Sequence, residues 1–151
     1  MYIDALLRVS SAQAFGAAAV STSSIDLGVP GGVVPSGTPP FREIGTGEPM
    51  GFGFQISTSG TVAASLVEII STTDAALTAG ILVHAAITIP LAAALAGTVW
   101  FIPLPPGTPT QRYLGLRVTT AGGTISGTAW LTSWSLFSLL AKSYAKNYTV
   151  N

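Results

Sequence analysis

Residues 50–56, Met-Gly-Phe-Gly-Phe-Gln-Ile, alternate strictly between apolar and small or polar positions. On an extended chain Met50, Phe52, Phe54 and Ile56 share one face, and Gly51, Gly53 and Gln55 share the other. That period of two predicts a strand with one face in a core. The glycines leave room for something to approach its second face closely. Residues 112–118 repeat the pattern, with Leu114, Leu116 and Val118 on one face and Tyr113, Gly115 and Arg117 on the other. Residues 61–72 are rich in β-branched side chains and carry one charge, Glu68, which again predicts a strand. A short apolar run at 98–102 is closed by Pro103, Pro105, Pro106 and Gly107. Residues 120–124 are a turn signal. A strand is expected from 124 to 135, with Trp130 and Trp134 flanking Thr132 at a spacing of four and therefore on one strand face.

Helical periods are few. Alanine-dense residues 11–20 and the segment 136–144 are the two places where a helix is expected, and 91–96 could make one turn. Residues 28–49 hold five Pro and six Gly, too many for regular structure, and read as a long surface excursion. No internal repeat is evident. About eight short strands with Gly/Pro turns predict an all-β sandwich or barrel. The length of 151 residues fits a single domain.

Charge changes the picture most. The chain has 12 charged side chains, one histidine and no cysteine, and its formal net charge is zero. Residues 75–111 hold no charge, and His84 is their only titratable group. A surface so poor in charge favours association, which implies that a partner covers part of it. The apolar window 75–101 would pass a crude test for a membrane helix. Pro90 in its middle, the diluting Thr78, His84, Thr88 and Thr98, and the lack of flanking Lys or Arg clusters argue against a span. Two strands, 81–89 and 98–104, are expected instead, both largely buried.

Candidate chemistry is sparse. A Ser-His-Asp triad would have to use His84, which sits inside an apolar run. No two carboxylates fall in a recognisable glycosidase setting, and no ligand cluster has metal-binding spacing. Gly45-Thr46-Gly47 begins like a dinucleotide fingerprint but precedes a strand, so it reads as a turn. The six basic residues are scattered, without the groove or stripe that nucleic acid requires. The expectation is a protein with no catalytic residues, no metal and no cofactor.

Several segments in order carry a resemblance. They are Met1-Tyr2-Ile3-Asp4-Ala5-Leu6-Leu7 with Ser11-Ala12-Gln13-Ala14, Ile25-Asp26-Leu27-Gly28, and Ile44-Gly45-Thr46-Gly47-Glu48-Pro49. Leu104-Pro105-Pro106-Gly107-Thr108 and Arg112-Tyr113-Leu114-Gly115-Leu116 follow. The set resembles the capsid cement (decoration) proteins of tailed bacteriophages, of the type first seen in a Bordetella phage. The insertion 29–41 and the sequence after residue 124 depart from that pattern. The resemblance implies a jelly-roll β-sandwich on the outer surface of an icosahedral capsid, made in the host cytoplasm during assembly. It implies contacts with the major capsid protein and with copies of itself as a homodimer or homotrimer, no contact with nucleic acid or membrane, and no enzyme activity.

Within that reading the expected contact segments are the N-terminal segment 1–8, the part of the excursion at 29–41 and the tail 143–151. The candidate interface residues are Met1, Tyr2, Ile3, Leu6, Leu7, Val33, Val34, Phe41, Trp130, Trp134, Tyr144 and Tyr148. The rival is a carbohydrate-binding jelly roll, receptor-binding or lectin-like, which would need exposed aromatics beside Asn, Asp and Gln.

Overall fold

The computed structural model describes residues 7–28, 43–44, 47–58, 64–90 and 94–140, with the backbone alone described at Glu43, Ile44, Pro109, Leu139 and Leu140. The N-terminal half contributes β1 (Arg8–Phe15), β2 (Ala19–Val20), β3 (Ile25–Asp26), β4 (Glu43–Ile44), β5 (Met50–Thr58) and β6 (Ala64–Thr72). The C-terminal half contributes β7 (Leu82–Pro90), β8 (Val99–Pro103), β9 (Thr108–Pro109), β10 (Tyr113–Thr120), β11 (Ile125–Ser133) and one helix, α1 (Trp134–Leu140).

Sheet A runs β1-β11-β5-β8, and sheet B runs β2-β10-β6-β7 with β3 also on β10. β4 and β9 form a separate two-residue ribbon. Every pairing is antiparallel. With β2 and β3 counted as one interrupted strand and the ribbon set aside, the order is 1-8-3-6 in one sheet and 2-7-4-5 in the other. This is the jelly-roll arrangement of an all-β sandwich.

The core lies between the sheets. Sheet A sends Phe52, Phe54 and Ile56 from β5, Ile102 from β8, Phe15 from β1 and Ile125 and Ala129 from β11. Sheet B answers with Val67 and Ile69 from β6, Ile89 from β7 and Leu114, Leu116 and Val118 from β10. The alternation in 50–56 and 112–118 thus selects the buried face as expected. Each of these large side chains contributes about 1.5–3 kcal/mol by leaving water.

Three expectations are corrected. Residues 11–20 are not helical, because β1 pairs with β11 and β2 with β10. Alanine favours a helix only weakly, and a ladder of tertiary hydrogen bonds outweighs it. Trp134 does not share a strand face with Trp130, because β11 ends at Ser133 and α1 begins at Trp134. The strand at 81–89 is not largely buried. β7 is the edge of sheet B, with Ile89 in the core but Ile81, Leu82 and Val83 each more than one-third exposed. β8 is the edge of sheet A and is half-buried, with Ile102 and Leu104 in the core. Among the described residues no helix is long and apolar enough to cross a membrane.

Candidate functional site

The outer faces of the two sheets are closed in the same way. On sheet A, Gly53 pairs across the ladder with Trp130. A β-carbon on Gly53 would fall 2.5 Å from Cε2 and Cζ2 of the indole. Gly51 likewise lies under the ring of Phe101. On sheet B, Gly115 lies under the side chain of Leu77, whose φ is +59°. Asp74 shapes the turn that places Leu77, accepting bonds from Thr78 Oγ1 at 2.6 Å and from Ala76 N at 3.2 Å. Those bonds, the Thr78 hydroxyl first, hold the Asp74 carboxyl below its ordinary pKa. The room left by the glycines is filled from within the chain.

α1 continues the apolar cover on sheet A. Phe101 of β8 packs edge-on against Trp134 at 5.1 Å between ring centroids, and against Phe137 at 5.0 Å. Phe137 is buried, whereas Trp134 and Leu136 are each half-exposed.

The two ion pairs lie elsewhere. Arg117 of β10 meets Glu68, its register partner on β6, at 2.6 Å. Arg112 holds Asp26 by two bonds, at 2.9 and 2.8 Å. These carboxylates favour the charged guanidinium, so both arginine pKa values are raised, chiefly by the hydrogen bonds. Glu48 accepts a bond from Ser135 and is lowered by it. Neither β7 nor β8 carries a charge, and the two edge strands touch one another. The large apolar side chains exposed among the described residues are Ile81, Leu82, Val83, Leu95, Trp134 and Leu136. All six belong to the approach and start of β7, the turn into β8, or the helix packed on β8.

His84 lies on this edge at a β-bulge. Ile69 pairs with Ala85 and Ile70 with Val83, so His84 has no register partner. Its Nε2 is 2.7 Å from Ser71 Oγ, which also accepts the Gln111 N–H at 3.0 Å. Ser71 is fully buried, so its proton needs an acceptor. A neutral His84 accepting at Nε2 supplies one, and burial lowers its pKa accordingly. The Ser–His distance suits nucleophile activation, but a fully buried hydroxyl offers a substrate no access.

The family model for Bbp16 matches residues 9–131. The chain belongs to the Bbp16 family. That family is phage-associated, being named for a Bordetella phage protein, and membership points to a phage structural protein. The Bbp16 match begins one residue into β1 and ends two residues short of the end of β11, so it takes in all but the outermost residues of the sandwich and leaves α1 outside. It also extends past Leu116, where the last matching motif ends, and includes Trp130. No curated protein matches the chain.

Of the expected interface residues, Trp134 is exposed, Leu7 is half-buried against the core, and Trp130 is 2% exposed and therefore inside the fold. Met1, Tyr2, Ile3, Leu6, Val33, Val34, Phe41, Tyr144 and Tyr148 lie outside the described residues. The excursion 29–41 and the tail 143–151 lie outside them too. Sequence reading missed Ile81, Leu82 and Val83. Hydropathy registers them as core, and only the strand order reveals that they are on an edge.

Proposed function

We propose that this Bbp16-family chain is a capsid cement, binding the outside of an icosahedral phage shell and bridging major capsid protein subunits and copies of itself. The observation that carries the reading is the uncharged edge of β7, with Ile81, Leu82 and Val83 exposed. A long, apolar edge strand is a template for pairing and is normally blunted by lysine or proline. β7 has no lysine, and its only proline is at its end, Pro90. A molecule that touches two or three shell subunits makes every contact after the first intramolecular, so weak contacts sum to lasting attachment. Binding the assembled shell in preference to free subunits then stabilises the shell by mass action.

The test is co-sedimentation with shells that lack the protein. The wild-type chain should sediment with them and raise the temperature at which they open. Leu82→Lys and Val83→Lys, on exposed positions, should keep the fold and lose the sedimentation. A wild-type chain that stays in the supernatant sinks the proposal.

A further inference from the structure

On the side of the sandwich away from β7 and β8 lies a cleft of about 190 Å³, lined by Arg8, Val9, Ser10, Ser11, Thr22 and Ser23. It is built by irregularities in β1. The register with β11 shifts between Arg8 and Ser10 and again between Ser10 and Gln13. Ala12 has a left-handed φ of +46° and donates its N–H to Thr128 Oγ1. Bulges of this kind re-aim side chains at sheet edges. Here Val9 keeps its side chain in the core and Ser10 is buried next to it, whereas Arg8 and Ser11 are exposed.

The opposite wall is fixed from β1. Ser23 N and Thr22 Oγ1 both donate to Val9 O, at 2.9 and 3.3 Å. Gln13 braces the same segment from both ends of its amide, accepting from Thr22 N at 2.9 Å and donating to Val20 O at 2.8 Å. Ser10 and Thr22 spend their hydroxyl protons on main-chain carbonyls. Among the described residues the hydroxyls of Ser11 and Ser23 have no partner. Arg8 is the one described arginine with no carboxylate on it, since Arg112 holds Asp26 and Arg117 holds Glu68.

Among the described residues the lining therefore offers a guanidinium and two free hydroxyls, and no acid. That chemistry selects an anion, and the guanidinium fork matches a carboxylate or phosphate face. The volume, roughly that of six liquid waters, is below the range that houses a whole organic ligand. It suits a single oxyanion group. We propose that this cleft binds a small oxyanion, a carboxylate or phosphate, through Arg8 with the hydroxyls of Ser11 and Ser23. The group comes either from a free ion or from an acidic side chain of a bound partner protein.

The experiment is an NMR titration of the full chain with inorganic phosphate at low salt. Saturable shifts are expected at Arg8 Nε–H and at the Ser11 and Ser23 amides. Arg8→Gln should weaken binding by about tenfold or more, as the loss of a charge-assisted pair dictates. The double variant Ser11→Ala/Ser23→Ala should weaken it less, and Arg112→Gln should leave it unchanged. Absence of a saturable response, or an unaltered response in Arg8→Gln, overturns the proposal. Arg8→Gln in the shell assay separates the sources. Loss of phosphate binding with loss of sedimentation assigns the site to an acidic side chain on the shell, and loss of phosphate binding alone assigns it to a free ion. The titration needs no shells, so it stands or falls independently of the cement reading.

Discussion

The Trp130 indole lies against Gly53, its cross-strand partner, leaving no space for a β-carbon there. The obstructing atoms belong to the rigid ring system of a side chain that is itself buried. Gly53→Ala should therefore destabilise the fold by about 1–3 kcal/mol, the cost typical of overpacking. Gly115→Ala should destabilise for the same reason, because its β-carbon would meet a methyl of Leu77 and the hydroxyl of Ser21, both in buried side chains. Urea unfolding should show both variants less stable than the parent chain. Trp130→Leu should recover part of the Gly53→Ala loss, although alone it destabilises.

The two ion pairs should behave differently. Glu68 and Arg117 face each other with side chains only 10% and 29% exposed, whereas Asp26 and Arg112 are 45% and 38% exposed. Arg117→Met strips the near-buried Glu68 of its partner and should cost about 2–3 kcal/mol, less than the 3–5 kcal/mol of a fully buried pair. Arg112→Met should cost under about 1 kcal/mol. Double-mutant cycles on each pair would measure the difference. Equal coupling energies would contradict it.

Acid should weaken the fold in two stages. The pKa of His84 is depressed by burial, so below its ordinary value of 6.5 the unfolded chain binds a proton that the folded chain resists. Stability is full above that pH and falls as pH drops through it. Asp74 and Glu48 are also depressed, from 3.8 and 4.5, so their stabilisation is present above those values and is lost as pH falls towards their folded pKa values. Melting temperature measured from pH 8 to pH 3 should show both steps. The upper step should vanish in His84→Gln.

Ser71 provides an independent check of the His84 geometry. His84→Ala leaves the fully buried Ser71 proton without its acceptor, which should cost about 1–3 kcal/mol. Ser71→Ala in the same background should restore part of that loss, since it removes the orphaned hydroxyl but also the acceptor of the Gln111 N–H. Thermal unfolding of the single and double variants tests this, and additive losses would refute the pairing.

Strand positions with a period of two were legible because Phe52, Phe54, Leu114 and Leu116 pair hydropathy with alternation on central strands. β7 was misread for a physical reason. Its residues are as apolar as those of β6, but β6 has neighbours on both sides and β7 on one. Neighbour number belongs to the topology and leaves no local mark in sequence. β1 was hidden by its alanines and by bulges that break the alternation. The oxyanion cleft was invisible because Arg8 and Ser23 are 15 residues apart and meet only when β1 and the β2–β3 link close on each other. What local pattern did supply was the space at Gly53, though not the indole that fills it.

The absence of charge from β7 and β8 bears on how an attachment made there would respond to its surroundings. With no ion pair across the contact, added sodium chloride has little to screen. Cooling, by contrast, weakens an apolar contact, and sulfate or phosphate salts strengthen it by exclusion from the protein surface. Attachment through this edge would loosen in the cold and hold in brine.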